Sequence, residues 1–514
     1  MKPIRLLAAF LTVSLWTFVS RIAGFVRDVL IAAYLGAGPV AEAFLIAFSL
    51  PNMFRRFFAE GAFTTAFVPL FAKKLEAGED AHDFARDAFA GLASLLIVFT
   101  LLAQLAMPFL VLAMAGGFLG DERFDLAVFY GRVCFPYIFF ISLAALLSGV
   151  LNAMGRFVAA AATPTLLNLG FIAAMLAADR AGWPMGDTLA WAVPVSGAAQ
   201  LALVWFAAAR AGFVPALRWP RLTPELKRLA IIAGPAMLAG GVVQINLLVG
   251  RQVASFFEGA VAWLSYADRL YQLPLGIVGI AIGVVLLPDL SRRLRAEDTE
   301  GGRHSYNRAT EFALLLSIPA AVALVVVAGP IVSVLFQRGA FTAGDSAATA
   351  LAVAVYGAGL PAFVMQKVLQ PLYFAREDTK RPFRFAVWAM VVNAVVAVGL
   401  APVIGYIAAA LATTLAGWVM VWQLWRGARD MGLAAEWDDR LKARLPRILI
   451  ASAGMGLVLL GAEALLAEAL AAPGLRYLAL AGLVAAGCAS YALLAAGFGA
   501  VSRADLRAAV SRRR

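Results

Sequence analysis

Residues 88–115 read AFAGLASLLIVFTLLAQLAMPFLVLAMA and contain no charged side chain. A helix of about 20 apolar residues can cross the hydrocarbon core of a bilayer, so this stretch predicts a transmembrane helix. Thirteen other stretches have the same character. The fourteen predicted spans cover residues 8–34, 40–70, 86–115, 126–153, 159–179, 187–209, 228–257, 260–288, 309–336, 345–374, 384–402, 405–425, 445–468 and 475–500.

The composition of the whole chain points to the same class. Hydrophobic residues make up 62% of the 514 residues, and charged residues make up 14%. Soluble proteins average roughly 45–50% and about 25%. A soluble chain of this length lacks the interior to bury so much apolar surface, so the excess must face lipid. We therefore predict an all-α polytopic membrane protein with 14 transmembrane helices.

The basic residues are distributed unevenly between the two sides of the predicted membrane. The termini and the loops after even-numbered spans hold 31 Lys and Arg residues, whereas the other loops hold 4. Because cytoplasmic loops of membrane proteins collect Lys and Arg, this bias places both termini in the cytoplasm. It also accounts for the net charge of +12 without a nucleic-acid partner. We expect the first span to be retained, not cleaved as a signal peptide.

A basic, proline-containing segment at 210–228 is the best candidate for a hinge between two halves. A faint repeat supports this division, since three residues of the first half recur 225 positions later. Pro136, Arg156 and Asn168 match Pro361, Arg381 and Asn393. Parallel repeats of this kind occur in transporters. The predicted organisation is an N-lobe at 1–214 (spans 1–6), a C-lobe at 215–430 (spans 7–12), and spans 13–14 with a basic tail at 431–514.

Eight basic residues lie inside predicted spans. They are Arg21, Arg27, Arg55, Arg56, Arg132, Arg251, Arg269 and Lys367. A cation at the bilayer centre costs at least about 2.5–3.5 kcal/mol on insertion scales, so each must face water, pair with an acid or reach an interface. For Arg132 and Arg251, near span ends, reaching the interface is favoured. No partner for Lys367 can be named from the sequence.

The first span contains the segment Ser20-Arg21-Ile22-Ala23-Gly24-Phe25-Val26-Arg27-Asp28. On a straight helix Arg21 and Asp28 share a face, because they are seven residues apart. Arg27 then points roughly 120° away. A bend at Gly24 could bring it inward. We expect Asp28 to neutralise one of these cations and to leave the other available.

Spans 2 and 8 repeat this arrangement. Arg56 and Glu60 are four residues apart and can pair on one helix face, whereas Arg55 has no acid nearby on its own face. In span 8, Asp268 and Arg269 are neighbours that point about 100° apart, so Asp268 need not neutralise Arg269.

The predicted intramembrane acids are Asp28, Glu42, Glu60 and Asp268. Eight cations against four acids leave a surplus of positive charge. If these charges converge on one cavity, the surplus suits an anion such as a diphosphate or carboxylate, because a guanidinium group binds such oxygens in bidentate fashion. Exporters of drugs or metal cations should show surplus carboxylates instead. The alternative is that the charges form scattered structural ion pairs.

Catalytic and metal-binding patterns are absent from the sequence. No phosphate-binding GxxxxGK[ST] motif occurs, and the two cysteines (Cys134, Cys488) and two histidines form no cluster with metal-ligand spacing. Both cysteines are predicted to be packing residues. Asp438 and Asp439 lie in a basic loop and are predicted to form a solvated face. We expect no catalytic residue, metal or cofactor.

The polar stretches of these spans resemble the MurJ (MviN) family of lipid II flippases, within the multidrug/oligosaccharidyl-lipid/polysaccharide exporter superfamily. The resemblance extends from the N-terminus to about residue 425. It rests on Ser20-Arg21 through Arg27-Asp28, Leu50-Pro51-Asn52 through Phe54-Arg55-Arg56, Ala59-Glu60-Gly61-Ala62-Phe63, Phe135-Pro136-Tyr137, Pro164-Thr165-Leu166-Leu167-Asn168, Tyr266-Ala267-Asp268-Arg269-Leu270 and Leu287-Pro288.

The resemblance implies two six-helix lobes around a central cavity, with spans 13 and 14 forming a groove for the undecaprenyl tail. Lipid II would be flipped from the inner to the outer leaflet of the bacterial inner membrane by alternating access, for peptidoglycan synthesis. The essential cavity arginines of the family correspond to Arg21, Arg27, Arg55 and Arg269, and its cavity carboxylate corresponds to Glu60. We add Asp28 as a binding residue, and Arg56, Asp268 and Glu42 as possible supporting residues.

Two departures from the family pattern leave the energy source open. Glu42 stands where an Asp is usual, and span 7 offers Gln244 and Asn246 but no acid for a sodium site. The coupling ion or membrane potential is therefore unassigned. The partners predicted are lipid II and membrane lipids, for a monomeric protein.

Two other functions compete with this hypothesis. One is export of another polyprenyl-linked glycan, or of a drug or cation, by the same superfamily. The other is a membrane glycosyl or phosphoryl transferase, which should carry acidic metal-binding motifs that the sequence lacks.

Overall fold

The computed structural model describes residues 3–56, 62–214, 218–221 and 223–501. Within these ranges the chain is almost entirely α-helical and contains no β-strand, which confirms the predicted all-α class. The chain folds as two compact units. The first comprises Met1–Ala262 with Arg338–Phe341, and the second comprises Trp263–Gln337 with Thr342–Arg514.

The first unit contains ten α-helices in the part of the chain described. They are α1 (Pro3–Leu35), α2 (Pro39–Arg55), α3 (Ala62–Ala77), α4 (Ala81–Leu105), α5 (Met107–Met114), α6 (Glu122–Cys134), α7 (Tyr137–Ala153), α8 (Val158–Ala181), α9 (Met185–Arg210) and α10 (Pro224–Ala254). Helix α1 packs along α8, α8 packs on α9, and α2 packs against α6.

The second unit is built from the nine helices that follow. They are α11 (Ala260–Arg295), α12 (Thr299–Val326), α13 (Ala328–Phe336), α14 (Ala343–Phe374), α15 (Lys380–Ile404), α16 (Ile407–Ala428), α17 (Asp439–Leu465), α18 (Ala467–Ala471) and α19 (Arg476–Gly497). Helix α14 packs against α12 and α16, and α17 contacts both α12 and α19.

Each predicted span falls on one helix or on two consecutive helices. Among the described residues, ten helical segments are long and apolar enough to cross a membrane. The other four predicted spans fall on α1, α2 with α3, α10 and α11. These four spans contain six of the eight intramembrane basic residues. The chain is thus a polytopic membrane protein, and the count of fourteen spans is consistent with the structure.

Proline divides one predicted span into two helices. Helix α6 ends at Cys134 and α7 begins at Tyr137, with Pro136 immediately before it. Proline donates no backbone hydrogen bond and its ring crowds the preceding turn, so a helix commonly ends at this position. Inside membranes such a break is tolerated when neighbouring helices surround it. The side chains of Phe135 and Tyr137 are both fully buried.

The segment between α9 and α10, together with the start of α10, is held against the rest of the first unit. Lys74 of α3 pairs with Glu225 at 2.9 Å, and Arg218 pairs with Asp83 at 3.0 Å. Arg86 donates from Nε to the carbonyl oxygen of Val214 at 3.1 Å. Helix α10 belongs to this first unit. The assignment of spans to two lobes stays a prediction.

A short loop at Arg338–Phe341 returns to the first unit and packs on the end of α1. The amide of Ala340 donates to the carbonyl oxygen of Ala33 at 2.8 Å. Gly36 and Gly339 both have positive φ, and a Cβ atom on Gly339 would lie 2.2 Å from the Ala33 oxygen. Both positions therefore need glycine, for its conformation and for the close approach of the two backbones.

A charged cluster joins α12 to α17 in the second unit. Glu311 is nearly buried and binds Arg440 at 3.1 Å, and it also pairs with Arg308 and Arg444. Asp438 accepts from the backbone amide of Leu441 at 2.7 Å, which caps α17, and pairs with Arg308. Asp438 is thus engaged in structure, contrary to the expected solvated face, because helix N-termini attract carboxylates.

Its neighbour Asp439 is fully exposed, as predicted. The sequence pattern of two adjacent acids could not separate these roles, since only the packing of α17 on α12 distinguishes them.

Candidate substrate-binding site

A buried polar cluster connects α1 to α8. Arg27 binds one carboxylate oxygen of Asp28 through Nε at 2.9 Å and Nη2 at 2.7 Å. Its Nη1 donates to Oδ1 of Asn168 at 2.8 Å, and its guanidinium carbon lies 5.6 Å from the ring centre of Phe171. Arg27, Asp28 and Asn168 are all less than a tenth exposed. The pair is therefore neutral overall and well supplied with hydrogen bonds.

Asn168 also fixes the backbone of α1. Its Nδ2 donates to the carbonyl oxygen of Ser20 at 2.9 Å. One amide group thus bridges a main-chain oxygen and a guanidinium group two turns further along α1. In a low-dielectric interior such a satisfied network holds its side chains in a single arrangement.

Asp28 neutralises Arg27, one of the two cations between which the sequence left the choice open. Arg21 is exposed and forms no hydrogen bond or ion pair with any part of the chain that the structure describes. The flexible Arg27 side chain reaches the carboxylate of its neighbour because Asn168 holds its other end. Helix α1 runs on without interruption through Gly24. A Cβ atom there would lie 3.3 Å from Nδ2 of Asn168, so Gly24 provides close approach to α8 where a bend was expected.

The remaining cations of the first unit differ in exposure. Arg55, at the end of α2, is half-buried, and Arg56 is exposed. Glu60, the carboxylate expected to pair with Arg56, lies outside the described residues, so that pairing stays a prediction. Arg132 is exposed and donates from Nε to the carbonyl oxygen of Gln104 at 3.3 Å. Arg251 is half-buried.

Glu42 occupies a separate, fully buried site. Its carboxylate binds Nη1 of Arg123 at 2.9 Å and accepts from the amide of Val261 at 3.0 Å. Arg123 also binds Asp121 at 2.6 Å. The amide and guanidinium group of Arg123 lower the pKa of the Asp121 carboxyl. In this structure Glu42 therefore joins three segments of the first unit. Neither of its carboxylate oxygens is exposed, so neither is accessible for the supporting role in binding that the sequence predicted.

The second unit carries the last predicted binding residues on α11. Arg269 is exposed, and Asp268 is half-buried and accepts a hydrogen bond from Gln272. Lys367 on α14 is also exposed, and its side chain passes close to Gly279. Arg269 thus lies at the surface of its unit, and its role in an anion site stays a prediction.

Asn168 is the site residue that the sequence reasoning missed. In the sequence analysis Asn168 was named only as a member of a family motif and of a faint repeat. A lone amide in an apolar span signals a buried hydrogen-bond partner, but the sequence does not say which helix supplies that partner. Among the described residues no group of three or more His, Cys, Asp or Glu could hold a metal ion.

Comparison with known proteins shows the family to which the chain as a whole belongs. The family model described as "Lipid II flippase MurJ" matches residues 31–475. A "Probable lipid II flippase MurJ" of Rhizobium meliloti (strain 1021) is 45% identical, over 99% of this chain and 96% of that protein.

Solved structures agree with this match. A structure titled "Lipid II flippase MurJ, inward closed conformation" has a TM-score of 0.79 and 25% identity, and covers 95% of this chain and 98% of that one. An inward-facing multidrug resistance MATE family transporter of the MOP superfamily has the same fold, with a TM-score of 0.66 and 15% identity over 80% of this chain and 95% of that one. The chain belongs to the MurJ family.

Proposed function

We propose that this protein flips lipid II from the inner to the outer leaflet of the bacterial inner membrane by alternating access, and so supplies peptidoglycan synthesis and maintains cell shape. The observation that carries the proposal is a surplus of arginines over acids inside apolar spans of a MurJ-family chain. Such residues are costly in a membrane, so they are rare there and usually mark a substrate or ion pathway.

The arginines divide into two roles. Arg21, Arg55 and Arg269 bind the diphosphate of the substrate, since guanidinium groups match phosphate oxygens in bidentate fashion. The charge of Arg27 is already neutralised by Asp28, and Asn168 accepts a hydrogen bond from its guanidinium group. The Arg27–Asp28 pair therefore contributes oriented dipoles to the site but little net charge. Glu60 contributes the cavity carboxylate. Arg56 and Asp268 support these groups.

The wider setting follows from the charge distribution. Both termini face the cytoplasm by the positive-inside rule. The protein works as a monomeric transporter without catalytic residues or a cofactor. An inward cluster of arginines should respond to membrane voltage, because moving one charge across the membrane is worth about 2.3 kcal/mol per 100 mV. Flipping in proteoliposomes that did not change with an imposed potential would contradict this voltage coupling.

The test begins with depletion of the native flippase in a Gram-negative host that carries this chain on a plasmid. The wild-type protein should restore growth and deliver lipid II to the outer leaflet, where an externally added enzyme can cleave it. Arg21→Ala, Arg55→Ala and Arg269→Ala should each leave lipid II in the inner leaflet while the protein is still made.

A matched control is Arg210→Ala, which removes an exposed charge at the end of α9. It should restore growth fully. Full rescue by all three site variants would remove the proposed diphosphate site. Failure of the wild-type chain, despite normal membrane levels, would count against lipid II as the substrate.

A further inference from the structure

A pocket of about 980 Å³ lies between the ends of α15 and α16 in the second unit. Its lining combines basic and aromatic side chains on two neighbouring helices. These are Arg384 and Trp388 on α15, and Trp422, Trp425 and Arg426 on α16, followed by Arg429. Helices α15 and α16 pack closely along their length. The pocket is therefore held by regular structure.

The guanidinium groups of this pocket are arranged over aromatic rings. Arg429 lies 3.8 Å from the ring centre of Trp425, and Arg426 lies 5.4 Å from that of Trp422. Among the described residues, Arg384, Arg426 and Arg429 form no ion pair. Only one acid, Asp430, lines the pocket with them. The pocket thus carries surplus positive charge whose hydrogen-bond donors are open to a ligand.

Two further observations limit the kind of ligand. Trp388 and Trp422 are each more than half exposed, and tryptophans in this position mark the headgroup level of a bilayer. Gln423 has a buried side-chain oxygen that accepts no hydrogen bond from the described part of the chain. A ligand that fills the pocket needs a negative group for the arginines, and a headgroup hydroxyl can satisfy the Gln423 oxygen once the side chain turns that oxygen into the pocket.

We propose that this pocket binds the headgroup of an anionic glycerophospholipid whose phosphodiester carries a hydroxylated group, as in phosphatidylglycerol. The arginines hold the phosphate, the tryptophans pack on the glycerol and upper acyl chains, and Gln423 accepts from a headgroup hydroxyl. On the topology proposed above, this end of α15 and α16 faces the cytoplasm, where basic pockets between helices bind anionic headgroups. The site is separate from the arginines proposed to bind the flipped substrate and does not depend on them.

The test uses the full chain in detergent micelles, with bound lipid counted by native mass spectrometry. Added phosphatidylglycerol should bind at low micromolar concentration, and phosphatidylcholine should not compete. Arg384→Gln with Arg426→Gln should weaken phosphatidylglycerol binding by about 30-fold, the effect of two charges near the membrane surface. The control Arg210→Gln with Arg295→Gln makes the same change in net charge at exposed positions elsewhere and should bind as the wild type does.

Three results would overturn the proposal. The first is equal phosphatidylglycerol binding by the pocket variant and the control variant. The second is complete displacement of the lipid by millimolar inorganic phosphate, which would make the pocket a site for free anions. The third concerns Gln423→Leu, which should abolish the preference for phosphatidylglycerol over phosphatidic acid. An unchanged preference would refute the headgroup assignment. Thermal unfolding of each variant shows whether it is folded, and all substituted arginines are exposed.

Discussion

Replacing Asn168 with leucine should loosen α1 from α8 and release Arg27 from its present orientation. Leucine has a similar size but can neither accept from Nη1 of Arg27 nor donate to the Ser20 carbonyl oxygen, bonds of 2.8 and 2.9 Å. A hydrogen bond to a charged group is worth about 1.5–3 kcal/mol and a neutral one about 1 kcal/mol. The free energy of unfolding should therefore fall by about 2.5–4 kcal/mol.

A matched control is Gln200→Leu. Gln200 is also a buried amide, and it donates to the carbonyl oxygen of Thr163 at 2.7 Å, without a charged partner. Its loss should cost about 1 kcal/mol. The two substitutions thus remove similar volumes of buried amide and differ mainly in the contact with Arg27.

The structure supplies a reporter for unfolding. Cys134 is buried, as predicted, whereas Cys488 is exposed and was wrongly predicted to be a packing residue. A thiol-reactive dye in a Cys488→Ser background therefore reacts only when the first unit opens. The midpoint for Asn168→Leu should drop by roughly 3–6 °C, because a given energy shifts the midpoint less as chain length grows. The Gln200→Leu midpoint should drop by less than half as much.

Function gives the second readout. Asn168→Leu should flip less lipid II than Gln200→Leu even at a temperature where both are folded, since only the first leaves Arg27 without its positioning partner. If the two variants unfolded at the same midpoint and restored growth equally, the role assigned to Asn168 would be refuted.

Three other changes test the structure away from the site. Glu311→Gln should lower the free energy of unfolding by about 1–3 kcal/mol, because three arginines lose a nearly buried carboxylate that they share. The control Glu300→Gln changes an exposed acid and should cost under about 0.5 kcal/mol. Equal midpoints of the two variants in thermal unfolding would contradict this prediction. Gly339→Ala should lower the free energy of unfolding by at least about 1–2 kcal/mol, because Gly339 has a positive φ and contacts the end of α1. The control Gly329→Ala lies in a helix with open space around it and should be neutral or stabilising. Loss of folded protein in gel filtration measures both effects. The pKa of Asp121 is lowered in the folded protein, so its contribution to stability is complete above its unfolded pKa of about 3.9 and is lost as the pH falls through the lower, folded value. The unfolding midpoint of Asp121→Asn should therefore depend less on pH below about pH 4 than that of the wild type. An unchanged pH dependence would show that the pairing does not stabilise the fold.

The predicted binding residues illustrate how far local patterns reach. Arg21, Arg55 and Arg269 could be proposed from the sequence because a charged side chain in an apolar run is conspicuous without any knowledge of its neighbours. The sequence left open whether Arg21 or Arg27 pairs with Asp28, because a helical wheel gives only the direction in which each side chain leaves the helix. A long guanidinium side chain can bend toward an adjacent carboxylate once a third group supports it, and that group, Asn168, lies 141 residues away in the chain.

Glu42 shows the same limit for a buried acid. The sequence placed it among the intramembrane acids, with a possible supporting role in binding. Its partner Arg123 was counted only as a residue of a connecting loop. The contact joins two residues that are 81 positions apart in the chain, and the carboxylate is completely buried.

The amino-acid sequence by itself determined that this protein is helical and lies in a membrane. It also determined which residues form the apolar spans and which basic residues lie within them. These properties follow from sums over neighbouring residues, since hydropathy and helix length need no partner from elsewhere in the chain. Only the tertiary structure decided which charges are satisfied, that Glu311 gathers three arginines, and that two helix ends form a pocket lined with tryptophan and arginine. Ion pairs and pockets depend on which helices pack together and at what depth, and the energy of each depends on burial that no local pattern encodes.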